Sequence, residues 1–314
     1  MVPGGLLRRS RRRHSRLHLH PLNPGPLAVA LTAAALYELG RRKLGGGRWR
    51  REGGWRAEAF YAGLVALVVA TQPPLDGLAD RSFSAHMVQH LLLQMVAPPL
   101  LVLGAPWLPV WRMLPTGGRH WLGRWLACSP GAAPLRLLAR TLGRPSAAWL
   151  LFAGAIALSH LPAIFDFALR EPLFHEADHA LFIALGLLFW SRALDSPPFR
   201  ARLSPPQAVV FFSTAIAAES LLALAILQAR SPLYAAEGHR LSDQQLGGAV
   251  MFEPASLPLL IALLWSLRRW LSAAQPSAVA GSSRRPPRGR RPGTRSEARM
   301  HTARNASDRR KAST

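Results

Sequence analysis

Cysteine is nearly missing from this chain: a single residue, Cys128, in 314. One thiol excludes an internal disulfide and any Cys-x-x-Cys metal-transfer motif. Lysine is almost as scarce, with only Lys43 and Lys311. Acidic residues number 16 against 39 lysines and arginines, for a formal charge of +23. In a soluble protein that imbalance points to nucleic acid. Here the basic residues lie mostly in two tails and a few loops. We read them as topology signals and contacts with membrane lipid, with no nucleic-acid partner.

What the chain has in abundance is apolar side chains, 49% of it, and they are bunched. Several runs approach the ~20 residues that carry an α-helix across a bilayer core. Seven spans are expected, at 22–39, 58–71, 84–103, 147–162, 179–194, 207–228 and 247–271. The fold class is then an all-α polytopic membrane protein, a seven-helix transmembrane bundle. Residues 1–21 form a basic amino-terminal tail, 22–271 the membrane domain, and 272–314 a basic tail expected to be disordered. Seven basic residues separate spans 1 and 2, six separate spans 3 and 4, and three, Arg192 at the end of span 5 with Arg200 and Arg202, mark the junction of spans 5 and 6. The opposite loops carry only Arg81, Arg170, Arg230 and Arg240. Positive charge marks the cytoplasmic side, which puts the carboxyl terminus inside. The Arg-rich amino terminus, which this orientation leaves outside, runs against the rule. Either it is translocated regardless, the true start lies elsewhere, or span 1 does not fully cross. A cleavable signal peptide is not expected, because the first apolar segment lies behind a long Arg-rich stretch.

Two His-x-x-x-His pairs, His86/His90 and His175/His179, stand at the outer ends of spans 3 and 5, and His160 stands at the outer end of span 4. Residues four apart share a helix face, so each pair aims two imidazoles the same way. A single interfacial histidine is usually only a polar side chain; five on one side point to a metal. Imidazole suits copper, zinc and iron alike, and a soft thioether such as Met87, Met95 or Met251 would favour Cu(I). Met87, however, is turned about 100° from His86 on a helix, and methionine in an apolar helix is far more often packing. Asp166, Asp178 and Glu253 are expected to support the ligands from behind. Glu219, well inside span 6, suits a helix-to-helix hydrogen bond as well as a functional role. Pro98 and Pro99 are expected to kink or open span 3.

The run FSAHMVQHLLLQMVAPPLLVLGAP at 83–106 resembles the signature of the CtaG-type cytochrome c oxidase assembly factors, associated with caa-type oxidases. SHLPAIFDFAL at 159–169, HEADHALFIALGLLFW at 175–190 and DQQLGGAVMF at 243–252 match in the same order. The resemblance extends from about Leu22 to Leu271. Ser159 and Phe252 stand where the family usually has tryptophan, and Asp178 stands where glutamate is common. The resemblance implies a bacterial inner-membrane protein, not an enzyme, that helps copper reach the binuclear centre of a haem–copper oxidase. Its implied partners are the oxidase catalytic subunit and an extracytoplasmic copper donor. Cu(I) would be captured by His86, His90, His160, His175 and His179; two or three imidazoles suffice, so the surplus would serve hand-over. Four other readings stand beside it: a membrane di-iron enzyme, a bis-histidine haem carrier, a copper permease, and an inert assembly scaffold.

Overall fold

The computed structural model describes residues 22–44, 48–234 and 240–274. The tail at 1–21, His239 and the stretch 275–314 lie outside the described residues. Contacts divide the chain into Met1–Leu271 and Ser272–Thr314. Of the second unit only Ser272–Ala274, which end the last helix, are described.

Among the described residues the regular elements are all helices, with no β-strand. Helices stand at every expected span: α1 (Pro24–Lys43), α2 (Arg48–Thr71), a short α3 (Leu75–Ala79), then α4 (Phe83–Leu91) continued through a π turn into α5 (Ala97–Leu103). Four helical stretches are long and apolar enough to cross a membrane: Phe83–Leu103, Pro172–Ala193, Pro205–Leu227 and Leu241–Ala274. A fifth results if Pro130–Leu142 and Pro145–Ser159, bent by 77°, count as one span. Seven were expected. The difference lies in α1 and α2, which are long but carry charge: α1 ends in Glu38, Arg41, Arg42 and Lys43, and α2 opens on Arg48, Arg50, Arg51 and Glu52.

Expected boundaries shift where proline decides them. The segment after α5 is not a loop but α6 (Trp107–Met113), α7 (Thr116–Cys128) and α8 (Ala133–Leu142). In α7, Trp121 stacks on Trp125, and both remain exposed. After α9 (Pro145–Ser159) and α10 (Pro162–Arg170), α11 begins at Pro172 and runs to Ala193, seven residues ahead of the expected start at 179. Proline is pre-organised for a first helical position. The earlier start brings His175 and His179 together into the first turns of one helix. Beyond α12 (Pro205–Leu227), the last stretch breaks into α13 (Leu241–Phe252) and α14 (Ser256–Ala274) around Pro254, which cannot continue the α-helical ladder.

The π turn, Leu92–Val96, sits immediately before Pro98 and Pro99. A proline ring collides with the carbonyl four residues back, and a wider turn relieves that collision. Pro98 thereby leaves the Gln94 carbonyl without its helical donor. The Trp190 indole N–H donates to it instead, at 3.2 Å. Gly186, one turn earlier on α11, makes room: a Cβ there would stand 2.7 Å from Pro98 Cγ. The core beside this junction is aromatic, with Phe152, Phe189 and Phe211 stacked at 4.2 and 4.5 Å across α9, α11 and α12. On the other flank Tyr37 stacks on Phe60 at 3.9 Å and donates its hydroxyl to the Gly104 carbonyl.

Candidate metal centre

His86 and His90 lie one turn apart on α4, and their Nε2 atoms approach to 2.8 Å. His175 and His179 lie one turn apart on α11, with ring centroids 4.3 Å apart, and the two helices turn their pairs toward each other. The rings of His86 and His175 stand 5.2 Å apart and those of His90 and His179 5.4 Å apart. One ring nitrogen from each of the four lies within 4.8 Å of all the others. His86, His90 and His179 are buried, and His175 is partly so. His90 Nδ1, His175 Nε2 and His179 Nε2 have no hydrogen-bond partner. Unpaired buried polar nitrogens each cost about 1–3 kcal/mol, which a cation bound between them would offset. Four imidazole donors without a carboxylate among them fit a borderline or soft cation.

A carboxylate from another helix fixes where α4 begins. Asp243 accepts from the Phe83 backbone N–H at 2.7 Å and from the Ser82 and Ser84 hydroxyls at 2.9 and 2.5 Å. The Ser82 oxygen in turn accepts from the Ala85 N–H. Negative charge and acceptors here satisfy amides that the helix leaves open at its start. Gln89, fully inside, donates to the Ala70 carbonyl at 2.8 Å and to Asp76 at 3.0 Å. Burial holds the Asp76 carboxyl above its ordinary range, against the opposing pull of the Gln89 amide. Asp76, Asp80 and Glu176 are the carboxylates whose charge acts on His175. Glu176 also accepts from the Asn23 amide, which ties the start of α1 to α11.

His160 is outside the group of four nitrogens, although its ring stands 6.2 Å from that of His90. It caps α9, and its Nδ1 donates to the Ile156 carbonyl at 2.7 Å. A carbonyl can only accept, so Nδ1 carries the proton and Nε2 of the neutral ring presents a lone pair. That nitrogen meets Met87 Sδ at 3.3 Å. Helix geometry does turn Met87 away from His86, as expected, but it turns it toward His160. Of the three expected supporting acids, Asp166 and Asp178 are part-buried on α10 and α11. Glu253 is exposed, at the opposite end of α13 from Asp243. His120 is exposed on α7. Sequence reasoning assigned Asp243 no role, although it opens the matching run at 243–252. The only signal in the sequence was an acid just ahead of the last apolar run.

Uncharacterised proteins of Mycobacterium bovis and Mycobacterium tuberculosis are each 26% identical to this chain over 240 residues, 70% of this chain and 35% of theirs. One of Mycobacterium leprae is 27% identical over 232 residues, 68% of this chain and 34% of its own. The chain thus spans about a third of the length of the curated relatives it matches. No solved structure matches it. The family model of the cytochrome c oxidase caa3 assembly factors (Caa3_CtaG) matches residues 25–273, from the start of α1 to the last turn of α14, and the chain belongs to that family.

Proposed function

We propose that this chain serves oxidase assembly by holding Cu(I) as cargo between α4 and α11 and passing it to the catalytic subunit of a haem–copper oxidase. The observation that carries the reading is the convergence of four imidazole nitrogens within 4.8 Å at one end of the helices. An assembly factor needs a site that binds and releases, and an all-imidazole set suits copper without the locking effect of thiolates. Metal binding takes the neutral imidazole, so the site needs no buried charge when copper leaves.

In this reading α1 and α2 join the apolar helices to make seven spans in the bacterial plasma membrane. The short, Arg-poor connections put the histidine end outside and the carboxyl terminus in the cytoplasm. An extracytoplasmic copper donor loads the site, lipid surrounds it, and the chain is a carrier rather than an enzyme. Full-length protein in detergent, reduced and given one equivalent of Cu(I), should keep about one copper through desalting, because imidazoles hold it. His86→Ala/His90→Ala should lose most of the copper that is coordinated by nitrogen alone. Undiminished nitrogen-only copper in that variant, read by X-ray absorption, would remove α4 from the site. In cells, His175→Ala/His179→Ala should leave oxidase polypeptide and haem in place with low oxidase activity. Full activity in that variant, at normal membrane levels, would leave the histidines without this role.

A further inference from the structure

A small space of about 20 Å³ adjoins the four-imidazole cluster, lined in part by His90, Met87, Met95, Met251, His160 and Glu219. It is large enough for one water or one ion. His90 belongs to both the cluster and this space. Three of the chain's six methionines meet here, although each comes from a helix with ample aliphatic alternatives. The lone-pair nitrogen of His160 and the Met87 sulfur already face each other at 3.3 Å. Glu219, 93% buried on α12, points one carboxyl oxygen at no hydrogen-bond partner. A buried carboxylate without partners is costly, and a monovalent cation beside it cancels the charge. Packing accounts for the methionines singly; it does not account for the acid.

We propose that Met87, Met251, His160 and Glu219 form a second station, selective for Cu(I), which receives the ion from the imidazole cluster by way of His90. This rests on the copper reading above and deepens it. Imidazoles alone accept copper, zinc and iron; thioether sulfur selects Cu(I). Transfer is ligand exchange: a copper–nitrogen bond to the cluster breaks as a copper–sulfur bond to Met87 forms. Copper stays Cu(I) and no electron moves; a proton on the Glu219 carboxyl leaves as the cation takes its place. Met95 also borders a larger apolar groove of about 540 Å³ on the flank of the helices, beside Trp190, Pro258 and Trp265. Met95 thus lines both the small space of the second station and that groove.

The test is copper X-ray absorption on full-length, detergent-solubilised protein under reductant, loaded with one and then two equivalents of Cu(I) and desalted. The wild type should retain two coppers, with a sulfur shell appearing at the second. Met87→Leu/Met251→Leu, which conserves volume, should retain one, coordinated by nitrogen only. His175→Ala/His179→Ala should also retain one, with the sulfur shell intact. Zn(II) loading should stop at one ion. A wild type that holds one copper with nitrogen alone overturns the second station and leaves the cluster standing, as does a methionine variant that still holds two. Failure of the wild type to retain any copper would overturn both readings.

Discussion

Asp243 shows how much a single side chain outside the site controls. It closes the start of α4, one turn ahead of His86, through two serine hydroxyls and the Phe83 amide. Losing a helix cap costs about 0.5–2 kcal/mol, and a charge-assisted one lies toward the upper end. Asp243→Ala should therefore lower the thermal midpoint in detergent by several degrees, with Asp243→Asn retaining part of the difference. An unchanged midpoint in the alanine variant would mean that water replaces the cap. Nothing in the spacing joins residue 243 to residues 82–84; only the crossing of α13 over α4 does. The pairing of Met87 with His160 was illegible for the same reason. Seen on its own helix, Met87 simply faces away from His86.

At the scale of elements, the junction between α4–α5 and α11 holds the two histidine-bearing helices in place. Pro98 and Pro99 announced a disturbance in the sequence, but not its form. The chain opens a π turn rather than a sharp kink, because Trp190 is there to bond the Gln94 carbonyl. Trp190→Phe keeps the ring and removes the donor, leaving a buried carbonyl unpaired at a cost of about 1–3 kcal/mol. Gly186→Ala should cost a similar amount, about 1–3 kcal/mol, by forcing apart helices that now touch. Both are read from unfolding in mild detergent. Full stability in Gly186→Ala would show that α11 can slide away from Pro98 without penalty. A glycine plays the matching part on α13, where Gly247 lies directly against Phe83 and Met87. Small residues of this kind let membrane helices approach closely.

For the whole molecule, orientation is the quantity that makes the site useful. In a Cys128→Ser background, single cysteines at Asp80 and Glu171, both exposed at the histidine end, should react with an impermeant thiol reagent added to intact cells. Cysteines at Gly117 and Arg200, exposed at the other end, should react only after the membrane is opened. The reverse pattern would place the histidines in the cytoplasm and end the case for extracytoplasmic copper capture.

The sequence by itself determined where the long apolar helices lie and which imidazoles share a face, though it left α6, α7 and α8 unread. Both follow from the 3.6-residue turn, a local property that needs no partner. The apolar runs likewise announced a membrane protein, though the charges in α1 and α2 kept the number of spans from being read by composition alone. Tertiary structure decided that His86 and His90 face His175 and His179, that His160 turns to Met87, and that Asp243 rather than Glu253 stands behind α4. Those are distances between helices. They depend on how far a helix start is pulled forward by Pro172, how α4 is widened before Pro98, and where glycines allow close contact, none of which a residue's neighbours in sequence can specify.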